Sequence, residues 1–537
     1  MLAFLDLCFT AIIGTKGLDA EGIPDPEHSG RTYGLTVAPS DVSSAVLSMR
    51  NDYLADVLSE EAREQINNAI VHLESRLKRT LKNGYFPRFE IICTKFDLTR
   101  TEKFAMMLAF AGAYDRKYEG IFCYLHNNST DYYPTKWLIV KLCRYIYGSD
   151  IGTEKIFSGS SALIRYLRDF RVKPRDHAEG GQRITLSPRV VSYILGDEQT
   201  TSELQQFIKI YDKKDLDEFI PVRQDELDLI KSYYREKSFT SDGGGVLNIY
   251  GPSGIGRRYA ALRAVTYFGI RLIDVDLYKL VQLKYSEITD YIDMIYTESL
   301  LSGAAVCFTT DRLLYETDIE GNVKQSDITD KIRSAAEYIA ENFGFFFWVT
   351  QEKDTSFKSC GIEYLSVELP MLTANERKVF WEKYFEDREL PGDVDLGLIA
   401  NQYILSPGYI KRVVKTSSDI AKISGGDLTR ETIRDSIKQH STNQLGTYAT
   451  LINAVFTWDD LVVSEDQKRK MKMICDQVRY RSVVNEDWGF RKKSPYGRGL
   501  CALFYGSPGT GKTMAVQVMA NELGIDLYRI DLSQLTS

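Results

Sequence analysis

Contiguous apolar runs and amphipathic stretches divide the chain into regions of different secondary structure. VLNIY (246–250), AAVCFTT (304–310) and FGFFFWVT (343–350) are largely apolar, and IEYLSVELP (362–370) follows them. Short runs of this kind are typical of strands buried on both faces of a parallel sheet. Beyond residue 370 the apolar residues recur at helical spacing. The pattern therefore predicts an α/β core followed by a small helical lid.

Capping signals indicate where the lid helices begin. Thr373 and Glu376 form a capping box ahead of RKVFWEKYF. Ser406 and Pro407 precede GYIKRVVKTSSDIAKI, and proline suits the first turn of a helix. We expect one helix to start at each signal.

The N-terminal region has a mostly helical pattern. The apolar stretch MLAFLDLCFTAIIG predicts a first core helix, and Thr99 with Glu102 forms a capping box before a second apolar helical face. RYLRDFRVK (165–173) and QRITLSPRVVSYILG (182–196) resemble the alternation of strands and helices in small winged-helix folds. We therefore predict a helical region that includes a winged-helix-like part.

An internal repeat places two copies of one unit in the chain. GPSGIGRRYAALRAVTYFGIRLIDVDLYKL (251–280) aligns without a gap with GSPGTGKTMAVQVMANELGIDLYRIDLSQL (506–535) after a shift of 255 residues. The apolar runs VLNIY and LCALFY precede the two copies. Each copy reads as strand, glycine loop, helix and strand, which is the opening unit of a P-loop fold.

The repeat sets the predicted domain boundaries. We expect a mostly helical N-terminal region over residues 1–240 and a first P-loop module over 241–440, with its α/β core ending near 370 and its lid over 371–440. Residues 441–498 would form a linker and the start of a second module, and 499–537 its truncated P-loop part. Compared with the first module, most of the second is missing.

The second glycine loop fills every signature position of a phosphate-binding loop. Its backbone N–H groups would form a nest for the β-phosphate at a helix N-terminus. Lys512 would place its charge between the β- and γ-phosphates as the catalytic residue, and the Thr513 hydroxyl would bind Mg²⁺. The expected ATP-binding residues are Gly506, Ser507, Pro508, Gly509, Thr510, Gly511, Lys512, Thr513 and Met514.

The first glycine loop departs from this pattern. Gly251, Gly254 and Gly256 keep the turn, but Arg257 stands where lysine is expected and Arg258 where serine or threonine would bind Mg²⁺. A guanidinium can contact a phosphate, but it cannot coordinate a cation.

The acidic pair expected after the third strand of the core is also missing from the first module. Thr309 and Thr310 occupy that place, although Asp311 could serve if the strand were longer. The two losses together predict that the first module does not hydrolyse ATP, and they leave open whether it binds nucleotide. Arg412 on the lid is either a phosphate sensor or a solvated helix residue.

Composition narrows the classes of function. The chain of 537 residues is 44% hydrophobic and has a formal net charge of −7, so no global field attracts it to nucleic acid. Its eight cysteines form no C-x-x-C pair and its five histidines suggest no metal cluster, which indicates reduced thiols in a cytoplasmic protein. We expect no membrane-spanning segment, because no apolar run of about 20 residues occurs.

The chain resembles a bacterial family of tandem AAA ATPases with a winged-helix-like N-terminal domain, some of which occur with contractile phage-tail-like injection systems. The resemblance covers nearly the whole chain. It rests on LTRTEKFAMMLAFAGAYDRKYEGIFCYLHNN, YPTKWLIVKLCRY, LPMLTANERKVFW, LSPGYIKRVV, TWDDLVV, WGF and the second glycine loop with its flanks.

The resemblance implies a degenerate first module and a working second one. It also implies a homo-oligomer, expected to be a hexamer, that couples ATP hydrolysis to remodelling of a protein assembly. Family members continue past the equivalent of Ser537 with a Walker B acidic pair, an arginine finger and a second lid. We therefore expect this chain to be a fragment that cannot hydrolyse ATP alone. The alternatives are a nucleic-acid-acting P-loop switch and a non-hydrolysing nucleotide-binding scaffold.

Overall fold

The computed structural model divides the chain into two compact units. The first contains Met1–Gln206 and Tyr285–Ala304, and the second contains Phe207–Lys284 and Ala305–Ser537. The residues that the structure describes are 2–14, 60–126, 131–147, 161–169, 182–216, 222–239, 244–310, 315–317, 323–325, 327–354, 357, 361–388, 390, 392, 394–423, 428–441, 450–480, 484, 500–525 and 527–530.

The helices are α1 Leu2–Gly14, α2 Glu60–Lys82, α3 Arg88–Lys95, α4 Arg100–Tyr114, α5 Lys117–His126, α6 Lys136–Tyr147, α7 Pro188–Leu195, α8 Ser202–Gln205, α9 Gln224–Phe239, α10 Arg257–Thr266, α11 Leu277–Leu280, α12 Tyr285–Ser302, α13 Asp327–Asn342, α14 Ala374–Phe385, α15 Leu396–Gln402, α16 Pro407–Ile423, α17 Arg430–Ser441, α18 Glu465–Arg479 and α19 Lys512–Leu523. The strands are β1 Ile208–Tyr211, β2 Gly245–Tyr250, β3 Leu272–Asp276, β4 Ala305–Thr309, β5 Tyr315–Thr317, β6 Val323–Gln325, β7 Phe345–Thr350, β8 Tyr364–Glu368, β9 Thr450–Ile452 and β10 Leu527–Arg529.

Helices α1 to α8 build the first unit around an apolar core. α1 buries Leu5 and Cys8, as a core helix should, and α4 begins at the predicted capping box of Thr99 and Glu102. The strand part of the prediction holds less well. Leu163–Leu167 forms a π-helix rather than a strand, and the extended backbone pairs only as the isolated bridges Thr135–Arg183 and Arg168–Leu186 in the described part of this unit.

Helix α12 packs in the first unit, although it lies between β3 and β4 in the chain. Its Glu298 is buried and accepts hydrogen bonds from Arg189 of α7 at 2.6 and 3.2 Å. A buried guanidinium and a buried carboxylate each need a charged partner, so this pair fixes α12 against α7.

The second unit contains a six-stranded sheet in the order β1-β3-β4-β7-β2-β8. All neighbours are parallel except β1, which runs antiparallel to β3. β2 lies between β7 and β8, with Val246 opposite both Phe346 and Tyr364. The apolar runs predicted as strands of the first module therefore form this sheet, and the residues of β2 up to Ile249 are buried.

Helices α14 to α17 form the predicted lid. Thr373 and Glu376 make the expected capping box at the start of α14. α16 begins at Pro407 as predicted, but the buried Ser406 hydroxyl makes no hydrogen bond within the described residues. Ser406 thus does not cap this helix through its side chain, and its backbone carbonyl accepts from the Ile410 N–H instead.

The second copy of the repeat keeps its helix but not its first strand. α19 forms as predicted, whereas residues 500–505 join no strand ladder in the described structure, and Leu503 and Tyr505 are 86% and 87% exposed. A central parallel strand needs a partner on each side, and β10 pairs with β9 instead. The end of α19 contacts the lid of the first module, since Gln402 donates to the Leu523 carbonyl at 3.0 Å.

None of the helices in the described ranges is both long and apolar enough to cross a bilayer.

Candidate functional site

Both glycine loops adopt the same backbone conformation. The three glycines of the first loop have positive φ angles, and so do their counterparts 255 residues later. The angles are 149° at Gly251, 76° at Gly254 and 103° at Gly256, against 152° at Gly506, 81° at Gly509 and 81° at Gly511. Only glycine takes these angles readily, so the loop glycines select the conformation that turns backbone N–H groups towards a bound anion.

The geometry of the second loop could accommodate a phosphate group. Gly511 stands at the N-cap of α19, and Lys512 is the first residue of the helix. The Lys512 ammonium donates to the carbonyls of Gly506 and Ser507 at 3.0 and 2.8 Å, which holds it across the loop. Carbonyl groups are weaker partners for an ammonium than phosphate oxygens, so phosphate could replace them.

The remaining predicted residues of the second loop lie around this lysine. Ser507, Pro508 and Thr510 are exposed, and the Thr510 hydroxyl closes the turn onto the Ser507 carbonyl at 2.9 Å. Thr513 is exposed in the first turn of α19, where its hydroxyl is accessible for a hydrated Mg²⁺. The loop therefore suits Mg²⁺ with a nucleotide, because hydroxyl and phosphate oxygens are its preferred ligands. The next residue, Met514, packs against the small apolar core of this copy.

In the first loop an ion pair occupies the corresponding region. Arg258 donates through Nη1 to Oδ2 of Asp274 on β3 at 2.5 Å, and Oδ1 of the same carboxylate accepts from the Thr309 hydroxyl at 2.6 Å. Asp274 is buried, and both of its oxygens are engaged. Arg258 stands where the metal-binding hydroxyl is expected, and Thr309 stands where the Walker B carboxylate is expected. Asp274 thus joins these two residues through its two carboxylate oxygens.

This ion pair keeps Arg258 charged. Burial would lower the pKa of its guanidinium, but the charge and hydrogen bond of Asp274 outweigh burial and raise the pKa above its ordinary value. The guanidinium also lies over the ring of Tyr211, 5.4 Å from its centroid. The guanidinium carries a permanent positive charge and has no acceptor lone pair, so it cannot bind a cation. The first loop does not fit Mg²⁺.

The structure describes the first residues at the end of the third core strand, Thr309 and Thr310. β4 ends at Thr309, and the N–H of buried Thr310 donates to the Val349 carbonyl. Asp311, the alternative candidate, lies outside the described residues.

A cavity of about 230 Å³ lies beside the first loop. Its walls come from the loop, from α10 and from the lid, where Pro407 and Gly408 belong to its lining. The Gly408 N–H donates to the Gly254 carbonyl at 2.9 Å, so the lid contacts the loop directly. Cationic residues contribute to the lining, and among the described lining residues there is no carboxylate. The cations are Arg223, Arg257, Arg258 and Lys411.

The lid arginine considered as a sensor does not line this cavity. Arg412 is exposed, its Nε donates to the Gly408 carbonyl at 3.3 Å, and its guanidinium lies over the ring of Tyr409. This agrees with the solvated alternative. Lys411, one residue earlier, lines the cavity instead, and burial lowers its pKa, with Lys415 as a second cause.

Sequence reasoning missed Asp274, although the repeat contains a signal for it. The position 255 residues after Asp274 is Arg529, and the position 255 residues after Arg258 is Thr513. Both members of the ion pair are therefore replaced in the second copy. The two charged residues of the first copy that are both replaced in the second copy are thus a signal that Arg258 and Asp274 interact.

The glycine loops, the position of β2 inside a parallel sheet and the helical lid together define a P-loop nucleotide-binding fold of the AAA type. Comparison with known proteins agrees. Residues 36–208 match the winged helix domain, variant, and residues 502–537 match the ATPase family associated with various cellular activities (AAA). The chain thus combines a winged helix domain with an AAA-type nucleotide-binding region.

Two relatives are similar to part of the chain. A protein of Methanothermobacter thermautotrophicus, described as a homolog of a 26S proteasome regulatory subunit, is 29% identical over 173 residues, which are 32% of this chain and 40% of the relative. An AAA-ATPase of Arabidopsis thaliana is 35% identical over 79 residues, which are 15% of this chain and 16% of the relative. The chain spans about two fifths of the length of the archaeal relative.

Proposed function

We propose that this chain is the nucleotide-binding part of an AAA-type ATPase. The observation that carries the proposal is the second loop, where Lys512 is held across a turn with the glycine geometry of a phosphate nest. Gly506 to Met514 would hold ATP, and Thr513 would hold Mg²⁺. When bound, Mg²⁺ would neutralise charge on the phosphates, while Lys512 would stabilise the charge that develops as the γ-phosphate leaves.

The second module needs further strands to work. Support comes from residues 500–505, which expose Leu503 and Tyr505 where a P-loop strand would be buried. Hydrolysis at this loop would need carboxylates on further strands of the second module, so we expect residues 1–537 alone not to hydrolyse ATP. The boundaries predicted above, with modules starting near residues 241 and 499, belong to the same proposal.

The task of the intact protein is to remodel a protein assembly as a cytoplasmic homo-oligomer, with six subunits expected. The resemblance to bacterial tandem AAA ATPases and the regulatory-subunit description of the archaeal relative support a protein substrate. The net charge of −7 argues against a nucleic-acid substrate. The described cysteines are free thiols, which suits a reducing compartment.

A Lys512→Ala substitution tests the role of the second loop. In the full-length protein it should lower the rate of phosphate release about 100-fold or more, because one preorganised charge at the leaving phosphate is lost. Lys470→Ala, on the exposed face of α18, is the control and should leave the rate unchanged. Equal rates for Lys512→Ala and the control would overturn the assignment of Lys512.

A further inference from the structure

We propose that the first module binds a nucleoside polyphosphate without a divalent cation, and that the Arg258 guanidinium, held by Asp274, takes the place of the metal ion. This inference is independent of hydrolysis at the second loop. The side chains of the first loop do not fit Mg²⁺, because Arg258 replaces the metal-binding hydroxyl.

The phosphate cradle of the first loop is intact. Its glycine φ angles match those of the second loop within about 22°, the difference between Gly256 and Gly511. α10 begins immediately after Gly256, so its first N–H groups point towards the loop. The substitutions have changed the side chains of the loop and left its backbone geometry in place.

The charge normally supplied by Mg²⁺ is supplied by the protein. Asp274 fixes the Arg258 guanidinium at 2.5 Å, and Tyr211 covers one face of it. The Arg258 side chain remains 40% exposed, so it can still face a ligand. Because an arginine side chain has several N–H donors and Asp274 is bonded through Nη1, other donors are available to phosphate oxygens.

The cavity beside the loop provides room and polar groups for the rest of a nucleotide. Apolar side chains on its wall, such as Leu372, Phe380 and Tyr384, are suited to a base. The Ser406 hydroxyl is 1% exposed and has no hydrogen-bond partner among the described residues. It lies against Gly254, where a Cβ atom would approach it to 2.5 Å. A bound ligand at this edge would offer the hydroxyl a partner.

The proposal predicts nucleotide binding that is insensitive to chelation. The experiment is isothermal titration calorimetry of the whole chain carrying Lys512→Ala, so that the second loop is silent, with ATP as the probe in Mg²⁺ and in EDTA. We expect one site whose Kd changes by less than about twofold between the two buffers. No binding, or binding that is lost in EDTA, would overturn the proposal.

A second substitution in the same background assigns the effect to the guanidinium. Arg258→Thr should weaken ATP binding in EDTA about tenfold or more, since it removes the cation and leaves Asp274 close to the phosphates. Arg263→Thr, exposed on the same helix, is the matched control and should bind as before. If Arg258→Thr alone fails to fold, the double variant with Asp274→Asn avoids the stranded carboxylate and should show the same loss. Binding by either variant as tight as that of the control would contradict the role of Arg258.

Discussion

The ion pair between Arg189 and Glu298 predicts how firmly α12 is held in the first unit. Their side chains are 5% and 1% exposed. Removal of one partner leaves a buried charge without its counter-charge, which costs about 3–5 kcal/mol. Domain stabilities are about 5–15 kcal/mol, so one substitution would remove a large share of the stability of this unit.

The hydrogen bonds around the pair indicate which partner costs more to remove. If Glu298 is replaced, Arg189 still donates hydrogen bonds to the carbonyls of Asp197 and Glu198, at 3.1 and 3.3 Å. If Arg189 is replaced, the Glu298 carboxylate accepts only one of its hydrogen bonds in the described structure, from the Thr200 hydroxyl at 3.4 Å. Arg189→Met should therefore destabilise by about 5 kcal/mol and Glu298→Gln by about 3 kcal/mol.

Urea unfolding followed by circular dichroism measures these free energies, and hydrogen exchange in α12 reports the local effect. The double variant Arg189→Met/Glu298→Leu should recover most of the loss, because no buried charge remains. Arg116→Met is the control, since Arg116 is 93% exposed and pairs with Glu119 on the surface, where the cost is under about 1 kcal/mol. Single losses below about 1 kcal/mol would refute the reasoning, as would a double variant whose loss is the sum of the two.

Two further predictions concern helix ends and pH. Burial alone would raise the pKa of Asp6, but hydrogen bonds from Tyr118 and Lys117 lower it below its ordinary value of 3.8. The stabilisation is thus present above that value and is lost as the pH falls through the lower folded pKa. Asp6→Asn should cost under about 1 kcal/mol at neutral pH and nothing in strong acid, measured by thermal unfolding of both proteins; a difference that persists in acid would contradict this. Thr373→Ala should cost about 1 kcal/mol through loss of its cap and Thr373→Ser much less, and equal melting temperatures of the two variants would count against the cap.

Local signals in the sequence were enough for much of the fold and for the second loop. The apolar runs predicted β4 and β7, because a strand buried on both faces must be apolar along its length. The sequence also predicted the capping box at Thr373 and the turn at the loop glycines, because each depends on residues within a few positions of one another. The location of Lys512 at the start of a helix follows from the same local rules.

Tertiary structure decided the features that join distant parts of the chain. Residues 500–505 have the composition of a strand, but a strand forms only where a neighbour offers a ladder, and β10 pairs with β9. Helix α12 lies between β3 and β4 in the chain, whereas its buried Glu298 pairs with Arg189 of α7 within the first unit. From the sequence, Arg258 indicated only that a metal-binding hydroxyl was missing. The structure adds that Asp274 on β3 holds the Arg258 guanidinium in place through an ion pair. Propensity acts between neighbours in sequence, while charge pairing and strand pairing act between neighbours in space.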